Sequence, residues 1–109
     1  MPYANEERKT AVISKATQAI SAIITAPAAG SRLAIDYLVL NASGGANTVT
    51  ITGTVAPVID MADNETQIFD NSAHDYLGVI HCNDNQALSL TLSAATAVTG
   101  WVNYRIINN

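Results

Sequence analysis

The residue types that could bind a metal ion lie mostly in one stretch of the chain. His74, His81 and Cys82 occur close together, and aspartates flank them. Because His81 and Cys82 are neighbours, a strand would point their side chains to opposite faces, and both could not bind one ion. The aspartates could gather around calcium, but they form no EF-hand loop or repeat motif. The sequence therefore predicts no metal site and no cofactor.

The residues suited to nucleophilic catalysis also lack the required arrangement. Ser72, His74 and Asp75 are the types found in a catalytic triad, but they are crowded into one loop, whereas triad residues normally come from separate elements. The chain has no Gly-x-Ser-x-Gly motif. Cys82 has only His81 beside it to favour a reactive thiolate, which predicts a buried and inert thiol. We therefore expect that the protein is not an enzyme.

A binding role rests on the aromatic residues near the C-terminus. Trp101 is the only tryptophan, and Tyr104 and Arg105 follow it in the same predicted strand. A tryptophan with nearby tyrosines can stack on a sugar ring, and it can also pack in a core or in a protein interface. The sequence leaves these uses open, so these three residues are candidates for an interface or a ligand site.

The composition predicts one domain and excludes several classes of partner. The chain has 109 residues, a common size for a single domain. Five basic residues against nine acidic ones give a net charge of −4, which disfavours nucleic acid and anionic membranes as partners. Asp36 interrupts the longest apolar stretch, and the polar N-terminus lacks the features of a signal peptide. Only 13% of the residues are charged, against roughly 25% in an average soluble chain, so we expect part of the surface to be buried between chains.

Alternation of apolar and polar residues predicts an all-β fold. Residues 1–18 are polar and mixed in charge, and we interpret them as an N-terminal arm that precedes a domain over 19–109. Strands are predicted at about 19–25, 33–40, 48–55, 55–61, 67–69, 76–82, 88–92 and 98–107. About eight short strands at this spacing are typical of an antiparallel β-sandwich or barrel.

Some predictions concern how these strands lie. The strand over 33–40 is apolar on both faces and is expected to be central, with Leu33, Ile35, Tyr37 and Val39 on one face. The adjacent glycines Gly44 and Gly45 suit a hairpin turn. Pro57 places the strand over 55–61 at an edge.

Two segments resemble small structural proteins of tailed bacteriophages. Residues 23–43 match the opening pattern of these proteins, which is an apolar pair, a Pro-Ala-Gly turn, a basic residue and then a strand. Asn47–Ile51 continues this pattern. Residues 85–104 match the closing pattern of these proteins, which is Ala-Leu-x-Leu-x-Leu-Ser followed by Val-x-Gly-x-Val-x-Tyr. The resemblance covers about 19–106. It implies that the strand over 88–92 pairs with the last strand, and that Gly100 leaves room where two backbones approach.

The family that these segments resemble includes capsid decoration (cement) proteins, head fibres and tail accessories. The resemblance implies a single jelly-roll-like antiparallel β-sandwich, assembled as a homotrimer on the outer capsid surface of the virion. The arm would then contact the major capsid protein or a neighbouring subunit, with contact candidates Tyr3, Glu6, Glu7, Arg8, Lys9, Val12 and Ile13. The alternative function is a receptor- or glycan-binding domain of a phage head or tail fibre, with Trp101 and loop tyrosines as the contact.

Overall fold

The computed structural model describes residues 8–52, 58–72 and 76–108, apart from the side chain of His81. Within these residues the chain forms nine strands: β1 (Lys9–Lys15), β2 (Ser21–Ile24), β3 (Ser31–Ser43), β4 (Asn47–Thr52), β5 (Ile59–Met61), β6 (Thr66–Asp70), β7 (Ile80–His81), β8 (Leu88–Leu92) and β9 (Ala97–Asn108). No helix long and apolar enough to span a membrane occurs in this part of the chain.

The strands form two antiparallel sheets. The first sheet has the order β1-β9-β3-β6, with the short β7 also paired to β3. The second sheet has the order β2-β8-β4-β5. Buried residues of both sheets belong to one apolar cluster, with Leu38 and Val102 from the first sheet and Val49 and Leu90 from the second. The protein is therefore a β-sandwich with a single core, as the sequence predicts.

The alternation seen in the sequence predicts the burial within several strands correctly. In β4, Val49 and Ile51 are buried while Thr48 and Thr50 are half-buried. The strand over 33–40 is indeed central, because β3 lies between β9 and β6. The short strand predicted to end near Met61 is at an edge of the second sheet, although Pro57 itself lies outside the described residues.

Two predictions about neighbouring strands are wrong. The segment with Gly44 and Gly45 does not close a hairpin, because it leads from β3 in the first sheet to β4 in the second. The strand with Leu88, Leu90 and Leu92 does not pair with the last strand, because β8 pairs with β2 and β4 in the second sheet. Period-two alternation shows which side chains share a face, but it carries no information about which strands are adjacent.

A β-bulge in β3 corrects the predicted faces of that strand. The register with β9 shifts between Ile35 and Tyr37, so Asp36 is an extra residue. Leu33 and Ile35 therefore point into the core before the bulge, and Leu38, Leu40 and Ala42 do so after it. Tyr37 and Val39 consequently lie on the opposite face from Leu33 and Ile35, whereas the sequence predicted that all four share a face.

Part of the predicted arm is a strand of the first sheet. Lys9–Lys15 pairs along its whole length with β9, and Ile13 is buried in the core. Within the described residues β1 pairs only with β9, so it forms one edge of the sheet. Residues 9–15 are thus packed onto the domain that was predicted to begin at residue 19.

Candidate functional site

An apolar row crosses the outer face of the first sheet. The register places Val12 opposite Trp101, Trp101 opposite Val39, and Val39 opposite Ile68. Directly opposed residues of antiparallel strands share a face, and this face is the one turned away from the core. Val12 is 77% exposed, Ile68 57% and Trp101 44%. Val39 is only 6% exposed, so Val12, Ile68 and Trp101 carry the exposed apolar surface of the row. Exposed apolar side chains grouped on one face are typical of partner-binding surfaces.

An aromatic pair lies within this face. The rings of Tyr37 and Trp101 have their centroids 6.3 Å apart and are tilted by 31°. A shallow groove runs beside the pair, between Val12, Val39 and Trp101. Aromatic rings of this kind bury much apolar area and keep a polar atom available, which suits them to binding surfaces.

Polar rows flank the apolar row on both sides. On one side the register aligns Thr10, Asn103, Tyr37 and Asp70. On the other side it aligns Ser14, Thr99, Asn41 and Thr66. Hydrogen bonds hold some of these side chains in place, such as Thr10 Oγ1 donating to Asn103 Oδ1 at 2.9 Å. The face thus has an apolar centre and a mostly uncharged polar border.

A polar pocket opens beside Tyr37 at one end of the face. Its volume is about 290 Å³. The lining residues combine donors and acceptors of both charges: Arg8, Asp36, Tyr37, Asp70, Asn71 and Asn103. The pocket therefore offers hydrogen-bonding groups directly next to the aromatic pair.

A buried ion pair forms the floor of this region. Arg105 is fully buried, and its Nε and one terminal nitrogen donate to the two Asp36 carboxylate oxygens at 2.6 and 2.9 Å. The same terminal nitrogen donates to the Tyr76 carbonyl oxygen at 2.8 Å. Asn71 Nδ2 donates to Asp36 Oδ1 at 3.0 Å. The bulge at Asp36 brings the carboxylate to Arg105, and the pair fastens the segment after β6 to the sheet.

The surroundings of Asp36 lower its pKa. Burial by itself raises the pKa of this carboxyl, but hydrogen bonds from Arg105 and Asn71 and the charges of Arg105 and Arg8 outweigh burial. The pKa therefore lies below the ordinary value of 3.8. Arg8 is the outermost of these groups, with its Nε 3.9 Å from Asp36 Oδ2.

This pKa shift predicts how stability depends on pH. The lowered pKa makes the Asp36 contribution fully present above the unfolded pKa of about 3.9, and it is lost as pH falls through the lower folded pKa. Asp36→Asn should therefore be less stable than the wild type near neutral pH, and the gap should narrow in acid. Urea unfolding of both proteins between about pH 7 and pH 2 measures the gap. A gap that stays constant over this range would contradict the prediction.

The structure places the predicted contact residues in different environments. Arg8 and Val12 are exposed on or beside the outer face, and Trp101 lies in its apolar row. Lys9 begins β1 opposite Tyr104, whose side chain packs partly against the core. Ile13 is buried in the core, and Arg105 is buried below the pocket, where it pairs with Asp36. Three further candidates lie outside the described residues: Tyr3, Glu6 and Glu7.

Several residues of the face cannot be identified from sequence spacing. Tyr37, Ile68 and Asn103 belong to it, but nothing in their spacing sets them apart from other strand residues. Asp36 did carry a usable signal, because a charged residue inside an apolar central strand needs a buried partner of opposite charge. Arg105, in the last strand, supplies that partner.

The described residues contain no group of three or more His, Cys, Asp and Glu side chains placed to hold a metal ion. Two members of the possible triad, His74 and Asp75, lie outside the described residues. Cys82 is buried, and burial raises the pKa of its thiol to about 11. A thiol with such a pKa stays protonated near neutral pH and is a poor nucleophile.

Comparison of the chain with protein-family models, with curated proteins and with solved structures finds no match. The fold and the outer face therefore define the protein only as a β-sandwich with an exposed candidate binding surface.

Proposed function

We propose that the protein is a bacteriophage capsid decoration (cement) protein. It binds the outer surface of the major capsid protein shell and stabilises the head, and it is made in the bacterial host cytoplasm. In this proposal the protein acts by binding and not by catalysis. The observation that carries the proposal is the edge strand β1, which places an exposed Val12 at the margin of the first sheet.

The edge position of β1 suits attachment to another protein. Within the described residues its second side has no strand neighbour, and an unpaired edge can accept a strand from a partner. Val12 projects from this edge with 77% of its surface exposed. Covering such apolar surface is favourable by about 25 cal/mol per Å². The edge thus offers backbone hydrogen bonds and an apolar contact together.

The charges near this edge indicate the partner surface. Three of the five basic residues are Arg8, Lys9 and Lys15, although the chain as a whole carries a net charge of −4. Lys15 is buried, and its ammonium donates to Ser21 Oγ at 2.9 Å and to the Ala19 carbonyl oxygen. Arg8 and Lys9 lie at the start of the edge, where Arg8 Nε is 3.9 Å from Asp36 Oδ2. Because Glu6 and Glu7 immediately precede Arg8 and Lys9 in the chain, we expect a major capsid protein surface that is apolar at its centre and carries charges of both signs at its border.

The proposal includes a jelly-roll topology and a homotrimer. The strand order β1-β9-β3-β6 facing β2-β8-β4-β5, with most connections crossing between sheets, supports an eight-stranded jelly roll to which β7 is added. The low fraction of charged residues supports burial of surface between copies. Three linked copies that engage the shell together would raise avidity by roughly 10²–10⁴ where the geometry permits.

Deletion of the residues before β1 tests the N-terminal contact. A variant lacking residues 1–7 keeps the strand and Ile13, whereas removal of residues 1–18 would delete a core strand and confuse binding with folding. We expect the shorter deletion to weaken binding to undecorated shells by roughly tenfold. Co-sedimentation measures binding, and sedimentation equilibrium checks that the trimer is retained. Unchanged affinity would remove residues 1–7 from the proposed contact.

A further inference from the structure

We propose that the polar pocket and the Tyr37–Trp101 pair together bind a neutral oligosaccharide. This ligand goes beyond the proposed attachment to the capsid, which rests on the β1 edge. One sugar unit would occupy the pocket beside Tyr37, and the next would lie on the exposed ring of Trp101.

The aromatic pair supplies the apolar half of a sugar site. Trp101 is 44% exposed and is held against Tyr37, with 6.3 Å between the ring centroids. The C–H groups on one face of a sugar ring pack against such a ring, while the sugar hydroxyls stay free for hydrogen bonds. Trp101 therefore offers a platform that is fixed in place before a ligand arrives.

The pocket supplies the polar half. Tyr37, Asp70 and Asn103 all line it. Among the described residues, no hydrogen bond engages the Tyr37 hydroxyl or the Asp70 carboxylate. Asn103 accepts from Thr10 through its Oδ1, which leaves its Nδ2 to donate. A hydroxyl, a carboxylate and an amide nitrogen that converge on one pocket match the donors and acceptors of sugar hydroxyls.

The charges around the pocket favour a neutral ligand. Asp36 is compensated by Arg105 below the pocket. Arg8 and Asp70, one of each sign, line the pocket itself. Because these charges balance, the site has no excess of either sign to attract a phosphate, a sulfate or a cation. The volume of about 290 Å³ lies at the lower end of small-molecule sites, which suits one sugar unit.

Intrinsic fluorescence tests the proposal directly, because Trp101 is the only tryptophan in the chain. The full chain is titrated with maltotriose, cellotriose, chitotriose and raffinose up to about 10 mM, with a heparin-derived tetrasaccharide as the anionic comparison. We expect at least one neutral probe to change the Trp101 emission, with a Kd between roughly 10 µM and 1 mM. No response to any neutral probe, or a response to the anionic probe alone, would overturn the proposal.

Variants then locate the site while keeping the tryptophan. Asp70→Asn and Asn103→Ala should each weaken binding of the responding probe by roughly tenfold. The matched control is Thr91→Ala, because Thr91 lies in β8 of the second sheet and lines neither the pocket nor the groove beside Trp101. Thr91→Ala should change the affinity less than about twofold. Equal affinity in all three variants, or an equal loss in all three, would overturn the assignment. Asp70→Asn should still bind shells, which separates this site from the capsid contact.

Discussion

Replacement of Arg105 by alanine should lower the free energy of unfolding by about 3–5 kcal/mol. The change leaves the Asp36 carboxylate buried without its main partner, and it also removes the hydrogen bond to the Tyr76 carbonyl oxygen. Total stabilities of small domains are only about 5–15 kcal/mol, so the loss is a large part of the total. Equilibrium unfolding in urea measures it.

A double variant separates the ion pair from general packing damage. When Asp36→Leu accompanies Arg105→Met, no charge of the pair remains buried and apolar volume is kept. Such replacements of buried ion pairs are often neutral or even stabilising. We expect the double variant to be clearly more stable than Arg105→Ala. An Arg105→Ala variant within about 1 kcal/mol of the wild type would show that the pair does not fasten this part of the sheet.

Replacement of Gly100 by alanine should cost about 3 kcal/mol or more. A Cβ at this position would lie 1.8 Å from the Val39 carbonyl oxygen and 2.8 Å from its carbon. Both are backbone atoms of β3, so no side-chain movement relieves the overlap and the two strands must separate. The pairing of β3 with β9 runs from Ser31 to Ser43, so a local separation disturbs the middle of the first sheet. Thermal and urea unfolding measure the cost.

Gly44→Ala is the matched control for this prediction. Gly44 has a φ of 81°, but a Cβ built there meets no atom within 4 Å. Its replacement therefore adds backbone strain of about 1–2 kcal/mol and no overlap. If Gly100→Ala cost no more than Gly44→Ala, the close approach of the two backbones would not be a constraint on the fold.

The sequence was sufficient to predict the layers of the fold, because burial follows alternation. Val49 and Ile51 in β4, and Leu88, Leu90 and Leu92 in β8, are buried as their spacing indicates. The close approach at Gly100, implied by the resemblance, is also present. The burial depends on a local pattern of residues, and the close approach depends on a single glycine. A linear sequence shows each of these directly.

The sequence could not predict which strands are neighbours. The turn at Gly44 and Gly45 would suit a hairpin, yet the chain crosses there to the second sheet. Which strands become neighbours in each sheet depends on the packing of the whole core, and that packing involves residues far apart in the chain. The bulge at Asp36 was hidden for a related reason. The extra residue, Asp36, pairs with Arg105 in β9, and this contact is not visible in the sequence of β3 alone.

The sequence indicates single residues of the candidate face but not that they lie together. The sequence places Val12 in an arm and Trp101 in an interface or ligand site, but the register of β1 with β9 places them side by side. Ile68 and Tyr37 complete the face from β6 and β3, and neither had a signal of its own. A surface assembled from four strands can be identified only when their register is known.

The binding of Val12→Asp to undecorated capsid shells tests the central claim most directly. The change places a charge on the β1 edge at a side chain that is 77% exposed, so folding should be little affected. Val58→Asp is the matched control, because Val58 is also exposed, at 57%, but lies next to the edge of the second sheet. The account predicts that Val12→Asp loses shell binding by roughly a hundredfold while Val58→Asp binds like the wild type. Equal binding by the two variants would contradict attachment through the β1 edge.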